Sequence, residues 1–178
     1  MSTVSIPSSK NTLVIFGSPH RNGFTAKLLN QFLQKQNITR YSIFYCYDEA
    51  PMPCNDCGAC KLQSGCVLPD LKGFYQQFEQ SDIVIFATPV YNASFPAPLK
   101  SLIDRLQVYY NARFFRGLRP PISKPKQVFI LLTCGKATDP TELILAQIKP
   151  VFTVTNCKLS ATVCMAGTDS GEFKYYEH

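Results

Sequence analysis

Long hydrophobic runs are missing from this chain. Its best, Ile83 to Ala87 and Val128 to Leu132, fall far short of the roughly eighteen apolar residues a membrane-spanning helix needs. The opening stretch MSTVSIPSSKN has no basic start followed by a long apolar segment, so no secretory signal is read and a cytoplasmic protein is expected. No internal repeat or low-complexity segment occurs. G-x-G-x-x-G and the Walker lysine with its serine or threonine are also absent, which argues against dinucleotide or ATP loops of those types. Histidine is scarce, with 2 in 178 residues.

The fractions present, 46% apolar and 17% charged, are ordinary for one globular domain spanning 1–178. The net charge of +6 is local. Seven basic residues from Lys100 to Lys126, against Asp104 alone, carry all of it, and the rest of the chain balances at eleven of each sign. Such a segment suits an anionic ligand better than a long polyanion, or is simply a solvated arginine-rich loop. No nucleic-acid motif accompanies it, so no nucleic-acid partner is expected.

Short apolar runs alternate with helical periodicity. Strands are predicted over 11–17, 41–47, 82–89, 127–135 and 158–167. Between them the spacing predicts a helix to about Gln36, one over about 69–80, and one starting near Phe95 with Leu99, Leu102, Ile103 and Leu106 inside. Asp139-Pro140-Thr141-Glu142 reads as a further helix start, and Pro150 as that helix's end or kink. Residues 109–126 read as a long aromatic and basic connection. This alternation predicts an α/β three-layer sandwich around a five-stranded parallel sheet, order 2-1-3-4-5. A closing helix should follow the fifth strand, yet only a short tail, about 168–178, is left for it, so that helix is expected to be a stub or to be replaced by a neighbouring subunit. A cysteine-rich insertion occupies about 51–68.

In such sheets ligands bind beyond the carboxyl ends of the strands. Three loops emerge there. Ser18, His20, Arg21, Asn22, Gly23, Phe24, Thr25 and Ala26 lie in a small polar loop opening onto a helix, where free amides and the helix dipole suit an anion. The alternative is an ordinary strand-to-helix turn. Pro89, Val90, Tyr91 and Asn92 begin a second loop, whose flat apolar surfaces suit a planar heteroaromatic ring unless they pack on one another. Thr133, Cys134, Gly135 and Lys136 form the third, with Gly135 allowing close backbone approach.

FGSPHRNGFTAKLL, LPDLKGF, SDIVIFATPVYNASFPAPLKSLIDR and LLTCGKATD, in this order, resemble the NADPH-dependent FMN reductase family of flavodoxin-like proteins. The resemblance covers roughly residues 12 to 166. It implies FMN, with its phosphate in the loop Ser18 to Thr25 and its ring against Pro89 to Asn92 and Thr133 to Lys136. It also implies NAD(P)H as hydride donor, a small acceptor such as a quinone or flavin, and a homodimer or homotetramer. The flavin would carry the chemistry, so no catalytic side chain is named. The segment Arg113 to Lys126 is the candidate for the nicotinamide nucleotide's phosphates.

Cys54, Cys57, Cys60 and Cys66 follow the spacing C-x2-C-x2-C-x5-C. Closely spaced thiolates in a glycine-containing loop can wrap a four-iron four-sulfur cluster. The iron-sulfur flavoproteins, a subset of the same family, look like this. Zinc fits less well, since its structural sites take two knuckles separated by a longer stretch. Without metal, the thiols are small hydrophobes in a wall near the flavin. Cys46, Cys134, Cys157 and Cys164 read as core residues, with Cys134 the candidate exception because it sits in the third loop. Two rival functions follow: an iron-sulfur flavoprotein relaying electrons to a redox protein, and a flavin-free interaction module.

Overall fold

Strands that are apolar on both faces have to sit inside a sheet covered on both sides. In the computed structural model, which describes residues 10–178, they do. The stretch 1–9, most of what was read for a signal, lies outside the described residues. Strands β1 (Thr12–Phe16) and β3 (Ile83–Pro89) are buried throughout. With β2 (Ser42–Tyr45), β4 (Lys126–Cys134) and β5 (Cys157–Ala166) they form a parallel array in the order β2-β1-β3-β4-β5. This is the expected flavodoxin-like arrangement.

Alternation along the strands divides the core. On one face Val14, Phe16, Ile83, Ile85 and Phe129 pack against Leu28, Leu29, Phe32 and Leu33 of α1 (Phe24–Lys35). On the other, Leu13, Ile15, Val84, Phe86, Ile130 and Leu132 meet α4 (Lys72–Gln80), α5 (Ala97–Arg105), α6 (Gln107–Phe114) and α7 (Thr141–Val154). Each fully buried leucine or phenylalanine here contributes roughly 1.5–3 kcal/mol. Two single-turn helices, α2 (Cys46–Glu49) and α3 (Ala59–Leu62), flank and punctuate the cysteine segment.

Four features differ from the expectation. The sheet has a sixth strand, β6 (Lys174–Glu177), antiparallel to β5. The tail thus returns as a strand where a closing helix was looked for. The third helix begins at Ala97, not near Phe95, because Phe95 and Pro96 still belong to the preceding loop. Residues 107–114 are helical rather than part of a connection: Val108, Tyr109 and Ala112 give them a buried face. Finally, α7 runs through Pro150 to Val154. One lost backbone bond is tolerated there because Ile144, Ile148, Phe152 and Val154 bury the helix on both sides of the proline. Its start falls one residue later than read, with Pro140 at the cap and Thr141 first in the helix; the Asp139 carboxylate accepts from the Thr141 amide at 3.0 Å and the Thr141 hydroxyl at 2.6 Å. Among the described residues no helix is long and apolar enough to cross a membrane.

Candidate active site

β1 delivers its loop to the switch point between β1 and β3. The Gly17 amide donates to the Ala87 carbonyl at 2.8 Å, drawing the loop onto β3. A Cβ on Gly17 would lie 2.7 Å from Leu99 Cδ2 and 2.8 Å from Thr88 Oγ1, so only glycine allows this approach. Ser18 is buried, and its Oγ accepts the His20 amide at 3.1 Å. Gly23 precedes the first turn of α1, and the first intrahelical bond runs from the Lys27 amide to the Gly23 carbonyl at 3.1 Å. The amides of Phe24, Thr25 and Ala26 therefore have no acceptor within the helix, and no acidic residue stands in the first turn. This is a backbone cradle at the positive end of a 12-residue helix, suited to an anion.

The remaining residues of this loop divide. Thr25 is buried and its Oγ1 lies 2.8 Å from Thr133 Oγ1, joining the first loop to the third. Of these two hydroxyls only one hydrogen is used between them, so the pair keeps a donor. His20 and Asn22 are exposed at the rim. Arg21 turns away from the cradle: its guanidinium stacks 3.8 Å above the centre of the Tyr45 ring and pairs with Asp48. It closes the loop against β2 and α2.

The second loop is a two-residue turn. Tyr91 and Ser94 exchange backbone bonds of 3.0 and 2.9 Å, with Asn92 at φ 49° and Ala93 at φ 61° between them. Both central residues are left-handed, the geometry of a tight hairpin turn, and alanine there is strained. Gln147 of α7 holds it: Nε2 donates to the Ala93 carbonyl at 3.1 Å, and Oε1 accepts from Ser94 Oγ at 2.8 Å. The Val90 amide donates to the Thr133 carbonyl at 2.8 Å, so this turn too is tied to the third loop. Pro89 is buried, Val90 half-buried, and Tyr91 is 42% exposed, a ring free to face a ligand.

The tail folds over the third loop. The amides of Gly167, Thr168 and Asp169 donate to the carbonyls of Lys136, Cys134 and Gly135 at 2.9, 3.1 and 3.3 Å. The Asp169 carboxylate sits where a Cβ on Gly135 would be. Tyr176 donates to the Ala137 carbonyl at 2.9 Å, His178 Nε2 meets Asp139 Oδ2 at 2.6 Å, and Phe173 lies against Phe24 with ring centres 5.4 Å apart. The tail therefore borders both the cradle and the third loop. Lys136 is exposed there, and partial burial raises the pKa of the Cys134 thiol.

The cysteine segment forms a second centre. Cys54, Cys57, Cys60 and Cys66 all line one small cavity of about 20 Å³, together with Arg105 and Asn111. Cys54 and Cys57 are exposed, Cys60 and Cys66 half-buried. Among the described residues no group of His, Cys, Asp and Glu converges closely enough to hold a single metal ion. A four-iron four-sulfur centre is therefore supported by the donor chemistry of four closely spaced thiols, not by a preformed geometry. The other thiols behave as core: burial pushes Cys46 up to about 12 and raises Cys157 and Cys164.

Arg105, 1% exposed, is the staple of this segment. Its guanidinium donates to the carbonyls of Met52 and Leu68 at 2.9 and 3.1 Å and to the Asp70 carboxylate at 2.9 Å. Those three residues flank the four cysteines, so one side chain closes the loop that carries them. Partial burial pushes the Asp70 carboxyl up, but the Arg105 guanidinium and the Met52 amide outweigh it and leave its pKa below the ordinary carboxylate value. A carboxyl depressed in the folded state contributes stability that is present above its unfolded pKa, about 4, and is lost as pH falls through the lower folded value. In acid titration of the metal-free chain, stability measured by urea unfolding is expected to fall below about pH 4, and Asp70→Asn should reduce that fall.

The basic segment is not one patch. Lys126 is 2% exposed and donates to the carbonyls of Glu79 and Lys124, while Lys124 pairs with Asp82 at 2.9 Å. Both lie where β3 and β4 begin, at the opposite end of the sheet from the three loops. These two lysines are excluded from any nucleotide site at the strand ends. Sequence reasoning missed Arg105, Asn111 and Gln147, which act through partners 53, 51 and 54 residues away and carry no local signal.

Comparison with known proteins bears on the family and the fold. The profile of the family described as NADPH-dependent FMN reductase matches residues 11–155. An iron-sulfur flavoprotein of Methanosarcina thermophila is 34% identical over 94 residues, 51% of this chain and 49% of that protein. An iron-sulfur flavoprotein of Archaeoglobus fulgidus is 29% identical over 106 residues, 58% of this chain and 48% of its own. The chain thus spans about half the length of the curated relatives it matches. Among solved structures, an NAD(P)H:quinone oxidoreductase from Methanothermobacter marburgensis aligns with a TM-score of 0.68 at 21% identity, over 92% of this chain and 87% of the other. An azoreductase of Bacillus anthracis gives 0.64 at 16% identity, over 90% and 88%. At such identities the likeness establishes the fold.

Proposed function

The chain belongs to the NADPH-dependent FMN reductase family, and from that premise we propose that it is an FMN-dependent NAD(P)H oxidoreductase with a second redox centre in its cysteine cavity. The observation that carries the reading is the cradle: unpartnered amides of Phe24, Thr25 and Ala26 beside the buried Ser18 hydroxyl, at the topological switch point. A phosphomonoester fits that donor set. Bound FMN supplies hydride acceptance from NAD(P)H and electron delivery to a small acceptor, of which a quinone is the leading class.

The chain's own residues do the positioning. The Thr25–Thr133 bond fixes the cradle relative to the third loop, and the Gln147 clamp fixes the Tyr91 turn relative to both. Tyr91 offers the ring a flat wall, while the space beside Gly135 is taken by the Asp169 carboxylate of the tail. The tail, through Phe173 against Phe24, narrows the approach to the cradle and limits access of water. Residues 18–26, 89–92 and 133–136 contain no aspartate or glutamate, which agrees with chemistry carried by the cofactor. Cys54, Cys57, Cys60 and Cys66 would hold a four-iron four-sulfur cluster, whose contribution is one-electron transfer. The donor chemistry fits: the buried Asn111 amide and the Arg105 guanidinium, whose Nε has no partner, face the cavity the thiolates line. Assembly as a homodimer or homotetramer belongs to the same proposal.

The test is NAD(P)H consumption with a quinone acceptor, with and without added FMN. The expected result is turnover that requires FMN and follows ping-pong kinetics. FMN binding with no NAD(P)H oxidation by any acceptor would contradict the enzymatic reading and favour pure electron relay.

A further inference from the structure

Helix α6 turns Val108, Tyr109, Asn111 and Ala112 inward. Three of these suit a core. Asn111 does not: it is 2% exposed, and a buried amide without partners costs about 1–3 kcal/mol. Its Oδ1 has no hydrogen-bond partner. Its Nδ2 has one, Cys60 Sγ at 3.0 Å. A neutral thiol is a weak acceptor and would barely offset the burial of a primary amide. A metal-bound thiolate is anionic, and a hydrogen bond to a charged acceptor is roughly twice as strong as a neutral one. An apolar side chain of similar volume would serve the fold better. The placement makes energetic sense around a negatively charged sulfur.

A second observation points the same way. Arg105 lines the same cavity, and its Nε is buried without a partner. Asp70 and two carbonyls occupy only the other guanidinium nitrogens. Among the apolar residues that also line the cysteine cavity, such as Leu68 and Val108, an amide and a guanidinium thus stand as buried donors.

Hydrogen bonds to ligand sulfurs withdraw electron density from an iron-sulfur centre and favour its reduced form. We propose that Asn111 is the positioning residue that orients Cys60 as a ligand and raises the reduction potential of the centre. This rests on the cluster reading given above. The bond partner is Cys60 alone among the four cysteines, so the tuning acts at one corner of the centre.

The experiment uses the full chain, reconstituted anaerobically with ferrous iron and sulfide. Iron content and an EPR-monitored potentiometric titration are measured for the wild type, Asn111→Leu and Asn111→Asp. Leucine removes the donor. Aspartate keeps the shape of asparagine but turns a carboxylate toward the thiolate. The expected order of both potential and iron occupancy is Asn, then Leu, then Asp. For leucine, the reduced-to-oxidised ratio at a fixed poise should fall about tenfold, which is about 59 mV for a one-electron couple. A packing role predicts the opposite order, with aspartate like the wild type and leucine impaired. Neither variant loading, while both keep wild-type far-UV circular dichroism, overturns the tuning role, since the leucine variant is expected to load. A loaded leucine variant at the wild-type potential, or an aspartate variant equal to the wild type, overturns it. Wild type that takes up no iron overturns the cluster reading itself, whereas loaded wild type with unshifted variants overturns the role of Asn111 alone.

Discussion

Replacing Arg105 by alanine is expected to destabilise the chain by about 3 kcal/mol and to release the cysteine segment. The effect is large because one buried guanidinium satisfies three acceptors from both flanks of that segment, Met52, Leu68 and Asp70. Truncation leaves the carbonyls unpaired and the carboxylate without its counter-charge. The low end of the usual range applies because the Asp70 side chain keeps 18% of its surface in water. For a chain of this size the loss amounts to roughly 6–12 °C in melting temperature. Lysine should not rescue it: an ammonium can reach Asp70 but cannot present the planar fork that also serves two carbonyls. The check is thermal unfolding with mass-spectrometric mapping of thiol alkylation in the metal-free chain. The half-buried Cys60 and Cys66 should react faster, approaching the already exposed Cys54 and Cys57, while the buried Cys46 and Cys164 stay protected. A melting point within 2 °C of wild type, about 0.5–1 kcal/mol by the same scaling, would show that the staple is not what closes the loop.

Asn22→Glu should abolish FMN retention while leaving the fold intact. Asn22 is exposed and stands one residue before the cap of α1. A carboxylate near a helix N-terminus is neutral or slightly stabilising for the helix, by up to about 1 kcal/mol. The same carboxylate repels a phosphate bound at the Phe24, Thr25 and Ala26 amides. At an effective dielectric of about 20, neighbouring like charges cost about 2–4 kcal/mol, which is roughly a thirtyfold to thousandfold loss of affinity. Thr25 would be a poorer place for the charge, since it is 3% exposed and bonded to Thr133, so folding would suffer as well. Riboflavin, lacking the phosphate, supplies the control: its affinity should not change. Fluorescence titration with both flavins decides it. Equal losses for FMN and riboflavin would mean the variant disturbs the ring site, not a phosphate site.

The parts of this molecule legible in the sequence are those governed by local pattern. Ile83–Pro89 and Thr12–Phe16 are apolar on both faces and could only be inner parallel strands, which fixes the switch point and hence the three loops. Asp139 ahead of Thr141 announced α7. What stayed illegible depends on distant partners. KYYE in β6 has no apolar alternation; it is a strand because its backbone pairs with Val163–Ala166. The helix over 107–114 is masked by Tyr110, Asn111 and Arg113, and Asn111 makes sense only beside a cysteine 51 residues earlier. Arg21 has the composition of an anion ligand, yet the Tyr45 ring and Asp48 claim it. Lys124 and Lys126 looked continuous with Arg113 and Arg116 along the chain. The direction of β4 carries them to the far end of the sheet.

Crystals grown with saturating FMN test the central claim most directly. The phosphate should rest on the amides of Phe24, Thr25 and Ala26 and the Ser18 hydroxyl, with the ring along the Tyr91 turn. An empty cradle, with the flavin bound at another place on the protein, would contradict the account.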